Sequence, residues 1–215
     1  MNAFGYMVQN WPEVSQKILQ HLGIVGIAVS GSLAIGLVLG IVVSRPRLQA
    51  VGRAIIAVTG VMQSIPSIAV IALIFVYTGI GPRTAIIALT AYGVVPILFN
   101  VSSAMLLVPA EMREAAAGMG MTPLQVLLRV ELPMAAQSIM AGLRTAVTID
   151  VSTATVASVV GAGGLGDIIF VGLSVVRSDM IIAGTLLVAA IAVLSDLLLA
   201  LFQKSVVSRG LSASS

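Results

Sequence analysis

The chain has 215 residues, of which 59% are hydrophobic and 9% charged, with a mean hydropathy of +1.13. Soluble domains carry about 25% charged residues, so an ordinary soluble enzyme is excluded; at about 20 residues per membrane crossing the chain has room for about five or six spans and no separate globular domain. The net charge of +3 comes from basic residues scattered singly near the ends of apolar segments, a pattern of membrane topology rather than of nucleic-acid binding, and the absence of cysteine excludes disulfides and thiol chemistry.

The N-terminal stretch "MNAFGYMVQNWPEVSQK" lacks a basic leader. The apolar run after it, Leu22 to Ser44, is too long for a signal peptide and is expected to be the first span. His21, the one histidine, falls at the outer edge of that span and is expected to be an interfacial side chain, since a single histidine without a ligand set makes no metal site. Gly36 to Gly40, "GLVLG", matches a small-xxx-small packing face. Further spans are expected over Ala54 to Pro82, Thr84 to Ala110, Met134 to about Val160 and Met180 to about Gln203, giving an all-helical integral membrane protein of five spans. Pro66 and Pro96 lie inside the second and third spans, where each is expected to bend its helix. The triplet Asn100, Val101, Ser102 fits a glycosylation acceptor but lies within the third span. "GAGGLG", Gly161 to Gly166, fits a dinucleotide fingerprint in letters only: it closes a membrane helix instead of following a strand, and is expected to be a turn on the outer face. A phosphate-binding loop needs lysine after glycine, whereas Lys17 and Lys204 each follow glutamine. No ATPase site is therefore expected in this chain.

With five spans, Arg45, Arg47, Arg53, Arg113, Arg129, Lys204 and Arg209 fall on one side, and Lys17, Arg83 and Arg177 on the other. The positive-inside rule then puts the N-terminus outside and the C-terminus in the cytoplasm. Residues 109–133, between the third and fourth spans, become a cytoplasmic loop within a single domain covering residues 1–215. This loop is unusually polar. "AEMREAAAG" is rich in helix formers, Gly118 and Gly120 follow where a helix stops, and Thr122, Pro123 and Gln125 compose an N-cap, first position and capping-box partner. The expected form is helix, tight turn, helix, with Leu124, Leu127 and Leu128 forming an apolar stripe beside Gln125 and Arg129 on the second helix. Such a stripe either enters a partner's groove or lies back on the membrane or on the spans.

The stretch "EAAAGMGMTPLQVLLRVELP" resembles the EAA loop of ABC importer permeases. Glu114, Ala115 and Ala116 match the EAA, Gly120 the glycine, and Leu132 and Pro133 the close, while Val130 stands where isoleucine is usual. The resemblance implies a coupling helix that docks into a cleft of an ATP-binding subunit. It extends from about Ser64 to Gln203, and "SIPSIAVIALIFVYTGIG", "IMAGLRTA" and "TATVASVVGAGGLGD" are most similar to permeases for glycine betaine, choline and related osmoprotectants. Such a permease resides in the bacterial cytoplasmic membrane as a type I importer subunit. It works with a second permease subunit, identical or not, a pair of ATP-binding subunits that hold ATP and magnesium, and an extracytoplasmic solute-binding protein, here expected to be a separate chain. It binds no cofactor itself, and beyond these proteins its surroundings are lipid, with no nucleic acid.

The fourth expected span is polar. Arg144 lies eleven residues beyond Pro133, a rise of about 16 Å that puts it near the bilayer centre. Thr148 shares its face at i, i+4; Asp150, Ser152 and Thr155 follow, and Ser158 adds a further hydroxyl near the end of the span. These residues are candidates either for a translocation path or for structural pairing with neighbouring helices. Trp11 and three tyrosines, among them Tyr77 and Tyr92, are too few for an aromatic cage around a quaternary ammonium, so selective recognition is expected in the binding protein. The alternatives are a permease for methionine or another small solute, a self-contained secondary transporter in which Arg144 and Asp150 carry a coupling ion, and a membrane scaffold for a cytoplasmic enzyme. No repeated segment of the kind common in secondary transporters is present.

Overall fold

The computed structural model describes residues 2–206, which contain helices and no strand. In chain order these are α1 (Ala3–Gln9), α2 (Trp11–Val43), α3 (Gln49–Ser64), α4 (Ser67–Thr78), α5 (Pro82–Leu107), α6 (Ala110–Gly118) and α7 (Pro123–Val126). A π-helical turn, Leu127–Glu131, carries α7 into α8 (Leu132–Ala157), and α9 (Leu165–Ser174) and α10 (Ser178–Val206) complete the bundle. Among the described residues four stretches are long and apolar enough to cross a membrane: Trp11–Val43, Pro82–Leu107, Pro123–Val160 and Ser178–Ser205. The pair Pro46–Ser64 and Ser67–Thr78 makes a fifth span if counted as one. Arg209 lies outside the described residues.

Several boundaries differ from the sequence expectation. The first span begins at Trp11 instead of Leu22, because Pro12 and Glu13 suit a helix start and Val14 gives the polar first turns a buried contact. His21 is consequently well inside the helix. It is fully buried rather than interfacial, with Nε2 3.2 Å from the Val151 carbonyl of α8 and the Gly164 backbone against its ring. The second span is not one bent helix but two helices meeting at 104°. Pro66 forces the residue before it out of the helical region: Ile65 has φ −83° and ψ 129°, and the Tyr92 hydroxyl of α5 donates to its freed carbonyl. Pro96, by contrast, stays inside an unbroken α5, where the Asn100 side-chain amide donates to the Pro96 carbonyl at 2.8 Å. Between Gly161 and Arg177 the expected outer turn contains the ten-residue apolar helix α9.

Helix α5 lies between α2 and α8 and packs most extensively on both. Glycines set the spacing. A methyl group on Gly36 would stand 2.8 Å from Ile97, and one on Gly40 2.6 Å from Val101, so the "GLVLG" face is used against the chain's own α5. On the other side of α5, a methyl on Gly142 of α8 would reach within 3.0 Å of the Pro96 carbonyl. Without a hydrophobic drive between helices in lipid, such close backbone approach supplies the dispersion contact that holds them together. One apolar cluster, including Ile24, Ile71, Leu89 and Val151, fills one half of the bundle; a second, including Ile97, Val101, Met105 and Ala146, fills the other.

Two sets of contacts define the bundle's ends. Gly81 N–H donates to the Val160 carbonyl at 3.0 Å, and Lys17 pairs with Asp167 at 2.5 Å, gathering the start of α2, the α4–α5 link, the end of α8 and α9. At the opposite end Arg45, just past α2, pairs with Glu131, just before α8.

Candidate functional site

The loop at that second end is built from local rules. Helix α6 carries Glu114 and Ala115 exposed and Ala116 buried. It closes with Met119 N–H donating to Ala115, Gly120 N–H to Ala117 and Met121 N–H to Ala116, at 3.0, 2.9 and 3.1 Å. Gly120 has φ +84°, a left-handed conformation that a β-branched residue adopts only under strain. The chain then re-enters a helix through the reciprocal capping box: Thr122 N–H donates to Gln125 Oε1 at 2.8 Å, and Gln125 N–H to Thr122 Oγ1 at 3.4 Å.

Helix α7 is not the separate second helix that the spacing suggests. It runs through the π-helical turn directly into α8. The physical reason is Pro133, whose missing N–H and ring cannot accommodate the carbonyl of Arg129, so the preceding turn widens by one residue. The wider turn also divides the expected stripe. Leu124 and Leu128 are 63% and 54% exposed and are joined by Met119 at 73%, whereas Leu127 turns inward with Leu132 onto the core cluster around Met105. The exposed apolar tip is thus Met119, Leu124 and Leu128, with Pro133 exposed at the base.

Glu131 was not singled out by sequence, yet it is the most buried charge of this end at 2% exposure. Its two oxygens accept from the Arg45 guanidinium at 3.0 and 2.6 Å, and Arg113 of α6 approaches at 3.8 Å.

On α8, Ala141, Thr145, Thr148 and Ser152 are exposed along one face, with Arg144 and Thr155 partly so. The hydroxyls of Thr145, Thr148, Ser152 and Thr155 each donate to the carbonyl four residues earlier, which leaves oxygen lone pairs on the face. Arg144 makes a bidentate pair with Asp196 of α10, at 2.7 and 2.9 Å, and reaches Gln203 at 3.4 Å. Together with Ala141, Thr145, Thr148 and Ile149 the pair lines an open groove of about 390 Å³. Asp196 was missed, although it is the one charge between Met180 and Gln203 and a lone charge in a span signals a partner.

Asp150 does not belong to this face. It is fully buried, neither carboxyl oxygen has a hydrogen-bond partner, and it stands against α5 where a methyl on Gly93 would come within 2.9 Å of it. The structure therefore brings Arg144, Thr148, Ser152 and Thr155 together and separates Asp150 from them. Ser158 is also buried, its hydroxyl donating to the Thr155 carbonyl.

The polar face on one spanning helix and the loop with an exposed apolar tip are features of a multi-span membrane protein. The chain belongs to the family described as binding-protein-dependent transport system inner membrane component, whose model matches residues 33–208. It is 36% identical over 206 residues to a choline transport system permease protein of Bacillus subtilis, covering 96% of this chain and 94% of that one. It is 34% identical over 216 residues to an osmoprotectant import permease protein of Salmonella typhimurium, covering 98% and 100%. Among solved structures, the MetNI methionine ABC transporter in an inward-facing conformation has a chain that superposes with a TM-score of 0.78 at 25% identity, over 88% of this chain and 94% of that one. A chain of an amino acid ABC transporter superposes with a TM-score of 0.73 at 20% identity, over 94% and 98%, a likeness of fold alone. The chain is an all-helical ABC importer permease of the type I architecture.

Proposed function

We propose that the chain forms, with a second permease subunit, the translocation path of an ATP-driven importer for compact quaternary ammonium osmoprotectants such as choline and glycine betaine. The observation that carries this reading is similarity along nearly the whole chain to permeases named for choline and osmoprotectant import, with an EAA-type loop that departs from the usual pattern at Val130 and projects Met119, Leu124 and Leu128 from one end of the bundle. The exposed tip supplies apolar surface for a groove on the ATPase, with Glu114 beside it as a charged contact. ATP and magnesium are bound by that partner, and this chain binds neither.

The orientation has the loop in the cytoplasm, the N-terminus outside and the C-terminus inside the bacterial inner membrane. It is supported by the gathering of Arg45, Arg47, Arg53, Arg113, Arg129 and Lys204 toward the loop end, against Lys17, Arg83 and Arg177 at the other. The solute passes between two permease subunits along the α8 face of Arg144, Thr148, Ser152 and Thr155. The Asp196 carboxylate keeps that face near neutral for a cationic solute. An extracytoplasmic binding protein sets affinity, since only Tyr92 and a few other aromatics lie in or beside the spans.

The substrate class is tested by uptake of radiolabelled choline, glycine betaine and methionine into vesicles carrying the complete complex. The reading requires choline or glycine betaine uptake; methionine uptake with neither of the others would replace the substrate class.

A further inference from the structure

We infer that the buried Glu131–Arg45 pair is the joint through which the coupling loop and the end of α2 move as one body, with Glu131 as a positioning residue for coupling. The inference rests on the reading of the loop as an ATPase dock, and it concerns how the dock's displacement reaches the membrane.

Glu131 sits where three elements converge. It ends the π-helical turn between α7 and α8; Arg45 follows α2; and Arg113 stands on α6, one residue before Glu114. The carboxylate is only 2% exposed and accepts hydrogen bonds from the two terminal guanidinium nitrogens of Arg45, at 3.0 and 2.6 Å, with Arg113 at 3.8 Å as a weaker third contact. Separating these elements would leave a buried carboxylate without its partner, a far larger penalty than sliding an apolar contact. The loop's other inward side chains, Ala116, Val126 and Leu127, are apolar and impose no direction on a displacement. A bidentate Arg–carboxylate pair is directional and fixes orientation as well as distance. The next residue, Leu132, begins α8, which carries Arg144 and Thr148. A push on Leu124 and Leu128 therefore reaches α2 and α8 together. Helices α3 and α4 have no charged tie of this kind among the described residues, and the 104° break at Pro66 isolates α4 further.

The chain has no cysteine, so paired spin labels attached to it before assembly with its partners go only where they are placed. Labels at Arg47→Cys and Ala117→Cys, both exposed, report the separation between the end of α2 and α6 in the complete complex with its ATPase and binding protein. The short intramolecular distance is expected to stay constant within about 2 Å between the nucleotide-free and the magnesium-ATP-bound states; a larger change, up to the roughly 5 Å of a one-turn shift of one element past another, overturns the joint. Adding Glu131→Gln is expected to make this distance differ between the two states. Glu131→Gln is also expected to keep basal ATP hydrolysis while cutting its stimulation by choline-loaded binding protein about tenfold, and Arg45→Gln with Glu131→Gln together should lose no more than the worse single variant. Wild-type stimulation in Glu131→Gln, or additive losses in the double variant, overturns the joint. If choline fails to stimulate even the wild-type complex, the substrate reading falls and the label distances still decide the joint.

Discussion

Arg144 of α8 holds Asp196 of α10 in a bidentate ion pair, with contacts of 2.7 and 2.9 Å, beside the exposed Thr148 hydroxyl. The pair joins residues 52 positions apart and lines the groove along α8. Its carboxylate is the one that balances Arg144, because Asp150 is buried in the bundle against α5.

The first prediction follows from that balance. Asp196→Asn leaves an uncompensated guanidinium on the α8 face proposed to line the path, which repels a permanent cation more than a zwitterion, so choline uptake should fall about tenfold and glycine betaine uptake less. Parallel uptake of the two labelled solutes measures it. Equal losses for both would remove the pair from the path.

Asp150→Asn should behave in the opposite way. The carboxyl is buried without a hydrogen-bond partner or a paired cation, so a neutral amide of nearly the same shape can take its place against Gly93 without changing the charge balance of the groove. The apparent Tm of the purified complex should stay the same or rise by about 2–4 °C, with uptake of choline and glycine betaine changed in equal proportion. A selective loss of choline uptake would put Asp150 back on the path.

Helix spacing around α5 gives a third prediction. A methyl on Gly40 would lie 2.6 Å from Val101 and 3.0 Å from the Leu98 carbonyl, so Gly40→Leu forces α2 away from α5 and should destabilise by about 1–3 kcal/mol. Gly60→Ala on α3 meets nothing within 4 Å and serves as the control. Thermal unfolding followed by loss of monodisperse protein compares them. Equal midpoints would mean that α2 and α5 are not packed as described.

The loop and the pairs differ in how far the sequence alone exposed them. The capping box of Thr122 and Gln125 and the reversal at Gly120 are local, set by residues within five positions, so spacing revealed them. The inward turn of Leu127 depends on the wider turn ahead of Pro133, which an α-helical period does not anticipate. His21 was misplaced because an apolar run marks where lipid contact begins, while α2 starts at Trp11 and α9 folds over its polar turns. Arg45–Glu131 and Arg144–Asp196 join residues 86 and 52 positions apart, and only the packing of α2, α8 and α10 brings them together. Pro66 and Pro96 look alike in sequence. They differ because Pro66 sits where Tyr92 accommodates a broken chain, whereas Pro96 is enclosed between α2 and α8.

Gly120→Val tests the dock. At φ +84° a β-branched side chain costs about 1–2 kcal/mol of backbone strain, and the relaxed turn displaces Leu124 and Leu128 from their position beyond α6. Gly118→Ala, with no steric neighbour and an ordinary φ, is the matched control. Gly120→Val should keep membrane insertion and lower co-purification of the ATPase severalfold, and Gly118→Ala should change neither. Undiminished co-purification with Gly120→Val would separate the loop from ATPase docking.

The most direct test of the account is energy dependence in sealed vesicles that hold the permease and its ATPase, with binding protein and labelled choline outside and ionophores collapsing every ion gradient. The account predicts accumulation when magnesium-ATP is enclosed and none when ATP is omitted or the ATPase subunit is left out. Accumulation by the permease alone, driven by an imposed ion gradient without ATP, would contradict it and make the chain a secondary transporter.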